Sequence, residues 1–233
     1  MRAASELLSD LLSILFPSCC QSCRENLVRN ERLICTRCYI ELTRTGFHLE
    51  RDNYVEKLFW GRCNIVKAAV FAEYVKGGII SRLIYRLKYN GIREIGSALG
   101  ELYGRELSDD GFLDDIDLLV PVPLHSRRYR KRGFNQSLLI AEGIASVCSL
   151  PVGSRNLVRR SPGGSQTIRS RIERWQNVDE SFQILRPDDF AGLHLLLVDD
   201  VITTGSTIDA CAEALSAVEG VRISAVALAA TLV

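Results

Sequence analysis

Apolar runs and repeats divide this chain before any chemistry is considered. From Val66 to Tyr74 there is a strand-like run, followed by Gly77-Gly78, and Ile80, Leu83, Ile84 and Leu87 then recur at helical spacing. A second helix is predicted from about Ile95 to Leu107, and an acidic turn with Asp109, Asp110, Asp114 and Asp115 follows it. Strands are predicted at Asp117–Val122, Asn156–Arg159, Leu195–Val198 and Ile223–Leu228, with helical segments among them. Leu195-Leu196-Leu197-Val198 has no polar break, the pattern of a strand buried on both faces. Ile208, Cys211, Ala212, Leu215 and Val218 then mark another helix. Strands alternating with helices predict an α/β fold, a mostly parallel sheet flanked by helices, with ligands at the carboxyl ends of its strands.

Before this region, Leu7, Leu8, Leu11, Leu12 and Leu15 line one side of an amphipathic helix that ends before Pro17. Glu6 and Asp10 fit poorly with a signal peptide, and no apolar run approaches the ~20 residues of a membrane span. No membrane insertion is therefore expected, and a cytoplasmic location is the default expectation. The 233 residues suffice for one large α/β domain plus a small appendage. A net charge of +1 offers no global attraction to nucleic acid or anionic lipid, so any basic surface must be local.

The eight cysteines change the picture at the N-terminus. Cys20 and Cys23, then Cys35 and Cys38, form two C-x-x-C pairs eleven residues apart, the spacing of a tetrahedral structural zinc site. Cys19 competes with Cys20, because it makes C-x-x-x-C with Cys23; the two-residue spacing is preferred. A segment of about 30 residues has little core of its own, so metal would supply much of its folding energy. The expected organisation is an N-terminal helix and zinc ribbon over residues 1–45, then an α/β domain over 46–233. Cys63, Cys148 and Cys211 stand in apolar contexts and read as core residues. Leu58-Phe59-Trp60-Gly61 is a candidate for packing the cysteine head onto the body.

Chemistry concentrates after the Leu195 strand. Asp199 and Asp200 are expected to stop it, and a Thr203-Thr204-Gly205-Ser206-Thr207 turn leads into the next helix. Ser206 and Thr207 are both good N-caps, with Asp209 placed as a capping-box acid. Backbone N–H groups and hydroxyls at a helix N-terminus can wrap a phosphate. The carboxylates suit sugar hydroxyls, or a Mg²⁺ shared with a polyphosphate. At the end of the Asp117–Val122 strand, Arg127, Arg128, Arg130, Lys131 and Arg132 put five cations within six positions. Their density suits a pyrophosphate; a solvated loop, or a nucleic-acid patch with Tyr129 and Phe134 as stacking faces, are the alternatives. Ser161-Pro162-Gly163-Gly164-Ser165-Gln166-Thr167, continuing to Arg169, Arg171, Arg174 and Asn177, has the composition of a lid over an anion.

The Leu195–Thr207 stretch resembles the phosphoribosyl-diphosphate loop of the type I phosphoribosyltransferases. The resemblance implies that Asp199 and Asp200, as the catalytic pair, hold the ribose 2- and 3-hydroxyls. It implies that Thr203, Thr204, Gly205, Ser206 and Thr207 hold the 5-phosphate. Nearly the whole chain resembles the ComF competence-protein family, in which a cysteine-rich head precedes a phosphoribosyltransferase-like domain. The matching segments are the Cys20/Cys23/Cys35/Cys38 head, Leu87-Lys88-Tyr89 with Gly91, Pro121-Val122-Pro123-Leu124 and Arg132-Gly133-Phe134-Asn135-Gln136. Ser165-Gln166-Thr167, Arg171, Arg174, Asn177, Val198-Asp199-Asp200-Val201 and Thr203-Thr204-Gly205 complete them. Some relatives carry further cysteine pairs, whereas only Cys63 stands in the corresponding region here, so one zinc site is expected.

The resemblance implies a type I phosphoribosyltransferase-like fold that binds phosphoribosyl diphosphate and Mg, transfers phosphoribosyl to a nitrogenous acceptor, and serves DNA uptake. Lys88, His125, Arg127, Arg132, Gln166, Arg171 and Arg174 are the candidate pyrophosphate and lid residues, and His125 is the only histidine near the proposed site. A hood over the acceptor would come from residues before Val66 and from helix Ile80–Tyr89. The competing readings are a non-catalytic adaptor for single-stranded DNA that contacts DNA-uptake proteins, and a phosphoribosyl diphosphate sensor.

Overall fold

The computed structural model describes residues 18–159 and 182–232. The expected N-terminal helix and the Ser161–Asn177 lid, with Gln166, Arg171 and Arg174, lie outside the described residues. The strands are β1 (Ala68–Glu73), β2 (Leu118–Pro121), β3 (Leu157–Arg159), β4 (Phe182–Ile184), β5 (His194–Ile202) and β6 (Arg222–Ala230). The helices are α1 (Thr36–Ile40), α2 (Tyr54–Lys57), α3 (Ile79–Tyr85), α4 (Glu94–Asp109), α5 (Ser126–Arg132), α6 (Gln136–Cys148) and α7 (Ser206–Leu215).

β1, β6, β5 and β2 form a parallel sheet in that order. Alternate residues of β5 serve opposite layers, as the unbroken apolar run requires. Leu196 and Val198 join the core beneath α3, α4 and α6, while Leu195 and Leu197 join the core beneath α7. Gly100 of α4 and Gly143 of α6 let two helix backbones nearly touch: a Cβ on Gly143 would lie 2.2 Å from Ser97 O. That contact clamps α4 and α6 together on one side of the sheet.

The chain leaves β2 and β5 in opposite directions. After α5 and α6 it returns as Val152, bridged in parallel to Leu119 on the side of β2 away from β5. After α7 it returns as β6 on the other side of β5. Such a divergence opens a crevice at the carboxyl ends of the two strands.

Four expectations are corrected. The Asn156–Arg159 segment forms β3, but outside the parallel sheet: it pairs antiparallel with β4 alone. Of its residues Leu157 is buried while Val158 and Arg159 are half-buried, so only one face is covered and a parallel sheet has no use for it. Second, Asp199 and Asp200 do not stop β5, which continues to Ile202 because β6 keeps pairing with it (Asp199↔Ala227, Ile202↔Ala230). Third, Leu58–Gly61 does not hold the head. Phe59 is buried beneath the loop after β5, in contact distance of Gly205, and the head is instead fastened to α3. Arg82 of α3 donates to Ser22 Oγ at 3.1–3.2 Å, and Arg86, just past its end, donates through Nη1 to Gln21 Oε1 at 2.9 Å. The helix expected through Leu87 ends at Tyr85 and continues as one π turn, Arg86–Asn90, closed by Gly91.

Candidate functional site

The crevice is a cleft of about 390 Å³. β2 stops pairing with β5 at Pro121↔Val198, whereas β5 runs four residues further, to Ile202. Asp199 and Asp200 therefore emerge where a neighbouring strand has been withdrawn. Asp199 Oδ1 accepts from Ser137 Oγ (3.1 Å) at the start of α6 and from the Asp200 N–H (2.8 Å). Asp200 Oδ1 lies 2.8 Å from Lys88 Nζ, which the π turn brings over from α3. Burial and the charge of Asp200 push the Asp199 carboxyl up to about 7, against the Asp200 N–H, Lys88 and Ser137, which favour the ionised form.

The Thr203–Thr207 turn comes next in the chain. Gly205, at φ +78°, is the N-cap of α7, and the Thr204 and Ser206 hydroxyls lie 2.7 Å apart. Only a residue without a Cβ suits this position, since an added Cβ would sit 2.8 Å from Phe59 Cε1. The expected capping box does not form: no side chain caps the helix, and Asp209 turns instead to an ion pair with Arg62 and accepts from Cys63 Sγ at 3.1 Å. Arg62 Nη1 in turn donates to Thr204 O (2.8 Å) and Leu58 O (3.0 Å), which ties the turn to the segment beneath it. Thr203 and Thr207 line the cleft.

The basic run is sorted by helix geometry. Arg128 and Arg132, one turn apart on α5, line the cleft, while Arg127 is exposed and outside the lining. Arg132 donates to Gln136 Oε1 at 2.9 Å. His125 is likewise not a lining residue: its Nδ1 accepts the Arg127 N–H (3.1 Å) and caps α5. Of the expected residues, the cleft brings together Lys88, Arg132, Asp199, Asp200, Thr203 and Thr207. It also recruits Arg128, one of the five cations expected to suit a pyrophosphate, and Tyr85, Tyr89, Asn135, Gln136 and Ser137, to which no individual role was assigned. Two signals were legible for them. Arg128 shares a helical face with Arg132, and Asn135 is an N-cap whose side chain accepts from Ser137 N and donates to Val122 O.

In the head, the ligand atoms of Cys20, Cys23, Cys35 and Cys38 all lie within 4.8 Å of one another, with Cys23 Sγ and Cys35 Sγ 3.6 Å apart. Tetrahedral zinc thiolates at ~2.3 Å place sulfurs about 3.8 Å apart, so the set fits. Backbone N–H groups of Ser22 and Cys35 point at Cys20 Sγ from 3.4 Å. Burial disfavours the Cys20 thiolate, but backbone donors from Cys35, Cys23 and Ser22 outweigh it and lower that thiol to about 6. Burial and the other thiols push Cys38 up to about 12. Four thiols so close ionise together only around a cation, and zinc here would fill a closed, structural position. Cys20, rather than Cys19, belongs to the set.

A parallel sheet with a switch-point crevice, an acidic pair and a hydroxyl-rich helix N-terminus defines a phosphoribosyltransferase-like domain. Residues 135–232 match the phosphoribosyl transferase domain family. The chain is 35% identical over 139 residues to the DNA utilization protein YhgH of Salmonella typhimurium, covering 58% of this chain and 60% of that protein. To the protein of the same name in Escherichia coli K12 it is 30% identical over 200 residues, 84% of this chain and 83% of that one. To competence protein F of Haemophilus influenzae it is 27% identical over 202 residues, 82% and 87% of the two chains. The chain belongs to the ComF family within the phosphoribosyltransferase superfamily. No helix among the described residues is long and apolar enough to cross a membrane.

Proposed function

We propose that the cleft binds phosphoribosyl diphosphate with magnesium and transfers its phosphoribosyl group to a nitrogenous acceptor, in the service of DNA uptake. The observation that carries this reading is that Asp199 and Asp200 line one cleft with Thr203 and Thr207, the first and last residues of the turn. The carboxylates accept hydrogen bonds from the ribose diol, and the turn, at the positive end of α7, holds the 5-phosphate. Lys88, Arg128 and Arg132 supply positive charge for the diphosphate. Among the described residues the only cluster of metal-ligating side chains is the four cysteines. Asp199 and Asp200 are the carboxylates beside which magnesium, carried by the diphosphate, would neutralise phosphate charge. The protein's part is positioning, and charge stabilisation of the departing pyrophosphate. The relatives' names support the DNA-uptake role.

Calorimetry with phosphoribosyl diphosphate, with and without Mg²⁺, tests the reading. Saturable, magnesium-dependent binding that disappears in Asp199→Asn/Asp200→Asn supports it. Absence of binding by the unaltered chain sinks it.

A second reading has one observation in its favour: Arg127, Tyr129, Arg130 and Lys131 of α5 are exposed and outside the cleft lining. They suit a phosphate backbone with a stacking base. Binding of oligodeoxythymidine that falls steeply with salt, and weakens in Arg127→Ala/Arg130→Ala/Lys131→Ala, would favour an adaptor for single-stranded DNA.

A further inference from the structure

A line of contacts runs from the cysteine head to the cleft, and it starts inside the metal knuckle. Gln21 and Ser22 are the two residues between Cys20 and Cys23. Ser22 is buried, and its Oγ accepts from Arg82 Nε and Nη2 at 3.2 and 3.1 Å. Gln21 Nε2 donates to Cys19 O at 3.2 Å, which turns Oε1 toward Arg86 Nη1 at 2.9 Å. Ile79, the first residue of α3, packs against the cluster of Cys20, Cys35 and Cys38. The head therefore grips α3 at its start, in its middle and just past its end.

Arg86 is also where the regular helix gives way to the π turn, Arg86–Asn90. Lys88, two residues later, reaches Asp200 Oδ1 at 2.8 Å. One bond to the head and one to the acidic pair thus lie within the same turn. A π turn is a rare conformation that fits one extra residue into a helix. Relaxation to a regular α-helix would rotate residues of this segment by up to about 100° around the axis. Lys88 would then swing off Asp200. The turn has a ready alternative, and contacts outside it decide between the two. Arg86 on Gln21 is such a contact on the head side; the Arg132 guanidinium, 5.5 Å from the Tyr89 ring centre, is one on the cleft side.

We infer that the zinc knuckle braces the cleft: Arg86, held by Gln21, is a positioning residue that keeps the π turn wound and Lys88 on Asp200. Metal occupancy of the head and ligand binding in the cleft are then coupled, and each raises the affinity for the other by the same factor. The coupling to phosphoribosyl diphosphate rests on the proposed function; the order of the π turn does not.

The test uses the full chain, loaded with zinc or stripped of it by a chelator. Hydrogen exchange read by mass spectrometry follows residues 86–91, and calorimetry follows phosphoribosyl diphosphate with Mg²⁺. Stripping should speed exchange in 86–91 and weaken the ligand by about three- to ten-fold, the effect of one such hydrogen bond. Arg86→Met and Gln21→Met should each do the same with zinc retained, and the double variant should do no more than either alone. Arg105→Met, which takes an exposed arginine from α4 instead, should change neither reading. In the other direction, phosphoribosyl diphosphate with Mg²⁺ should tighten zinc, in competition with a chromophoric chelator, by the factor that zinc tightens the ligand. If melting curves show that stripping unfolds the chain, the two zinc-loaded methionine variants decide. Exchange in 86–91 unchanged in both variants overturns the inference. So does weaker ligand binding in Arg86→Met without faster exchange, which would make Arg86 a ligand contact. Failure of phosphoribosyl diphosphate to bind the unaltered chain removes the proposed function alone, because exchange in 86–91 still answers.

Discussion

Lys88 Nζ lies 2.8 Å from Asp200 Oδ1, both side chains being largely withdrawn from solvent. The pair joins the π turn after α3 to the end of β5, and it offsets the repulsion between Asp199 and Asp200. Lys88→Met removes the cation and leaves two adjacent carboxylates facing an anionic ligand. Phosphoribosyl diphosphate affinity should fall by about 10- to 100-fold, the loss of one charge-assisted interaction, as read by calorimetry. Lys88→Arg should recover only part of it, since the guanidinium fork is bulkier than the ammonium. Unchanged affinity in the methionine variant would remove Lys88 from the site.

The neighbouring carboxyl gives the cleft a pH dependence. Asp199 titrates near 7 because burial and Asp200 favour its neutral form. Its folded value is raised, so the native state holds this proton from about pH 4 up to about 7 while the unfolded chain has released it. The group therefore costs stability as pH rises through that window, and Asp199→Asn should melt higher than the parent above pH 7. Ligand binding runs the other way, since the ionised carboxylate is the better acceptor for a diol. Affinity should rise between pH 6 and 8 in the parent, and the Asp199→Asn variant should lose that slope.

The main sheet strands and the Thr203–Thr207 turn were legible from sequence because each depends on local pattern. Leu195–Val198 reads as a doubly covered strand, and Thr203–Thr207 as a polar turn opening a helix. What was not legible depends on which elements meet. That β5 outlasts its apolar run follows from β6 lying alongside it with Ala227 to Ala230. That Phe59 sits under Gly205, and Arg62 on Thr204, are contacts between segments some 140 residues apart in sequence. The basic run was read as one patch, although the one-turn spacing of Arg128 and Arg132 already separated them from Arg127 and Lys131. Tyr85 and Tyr89 stand four residues apart inside the Ile80–Tyr89 segment expected to form a hood, but nothing in that segment reads as a base-binding pattern.

The cysteine geometry makes a prediction that spacing alone left open. Cys19 stands beside Cys20 in the chain, yet its Sγ turns to Asn26 Oδ1 at 3.7 Å, outside the four-sulfur cluster. Metal analysis of the purified chain should find one zinc per molecule. Cys35→Ser should reduce zinc below stoichiometry and expose the head to protease, because a segment with so small a core relies on the metal. Cys19→Ser should keep both zinc and protease resistance. Equal zinc loss in the two variants would show that the ligand set is misassigned.

Gly205 holds the Thr203–Thr207 turn at φ +78° directly above the Phe59 ring. Gly205→Ala meets two costs: about 1–2 kcal/mol for a side chain in the left-handed region, and about 1–3 kcal/mol for overpacking against the ring. The variant should melt several degrees lower and lose most phosphoribosyl diphosphate affinity, because the N–H groups of the turn move away from the 5-phosphate. Phe59→Leu alone opens space and should cost about 1 kcal/mol with the turn intact. The double variant removes the clash but keeps the strained φ, so it should regain part of the melting temperature relative to Gly205→Ala and little of the binding. Full recovery of both would mean that the ring contact, and not the left-handed backbone, is the constraint that shapes the turn.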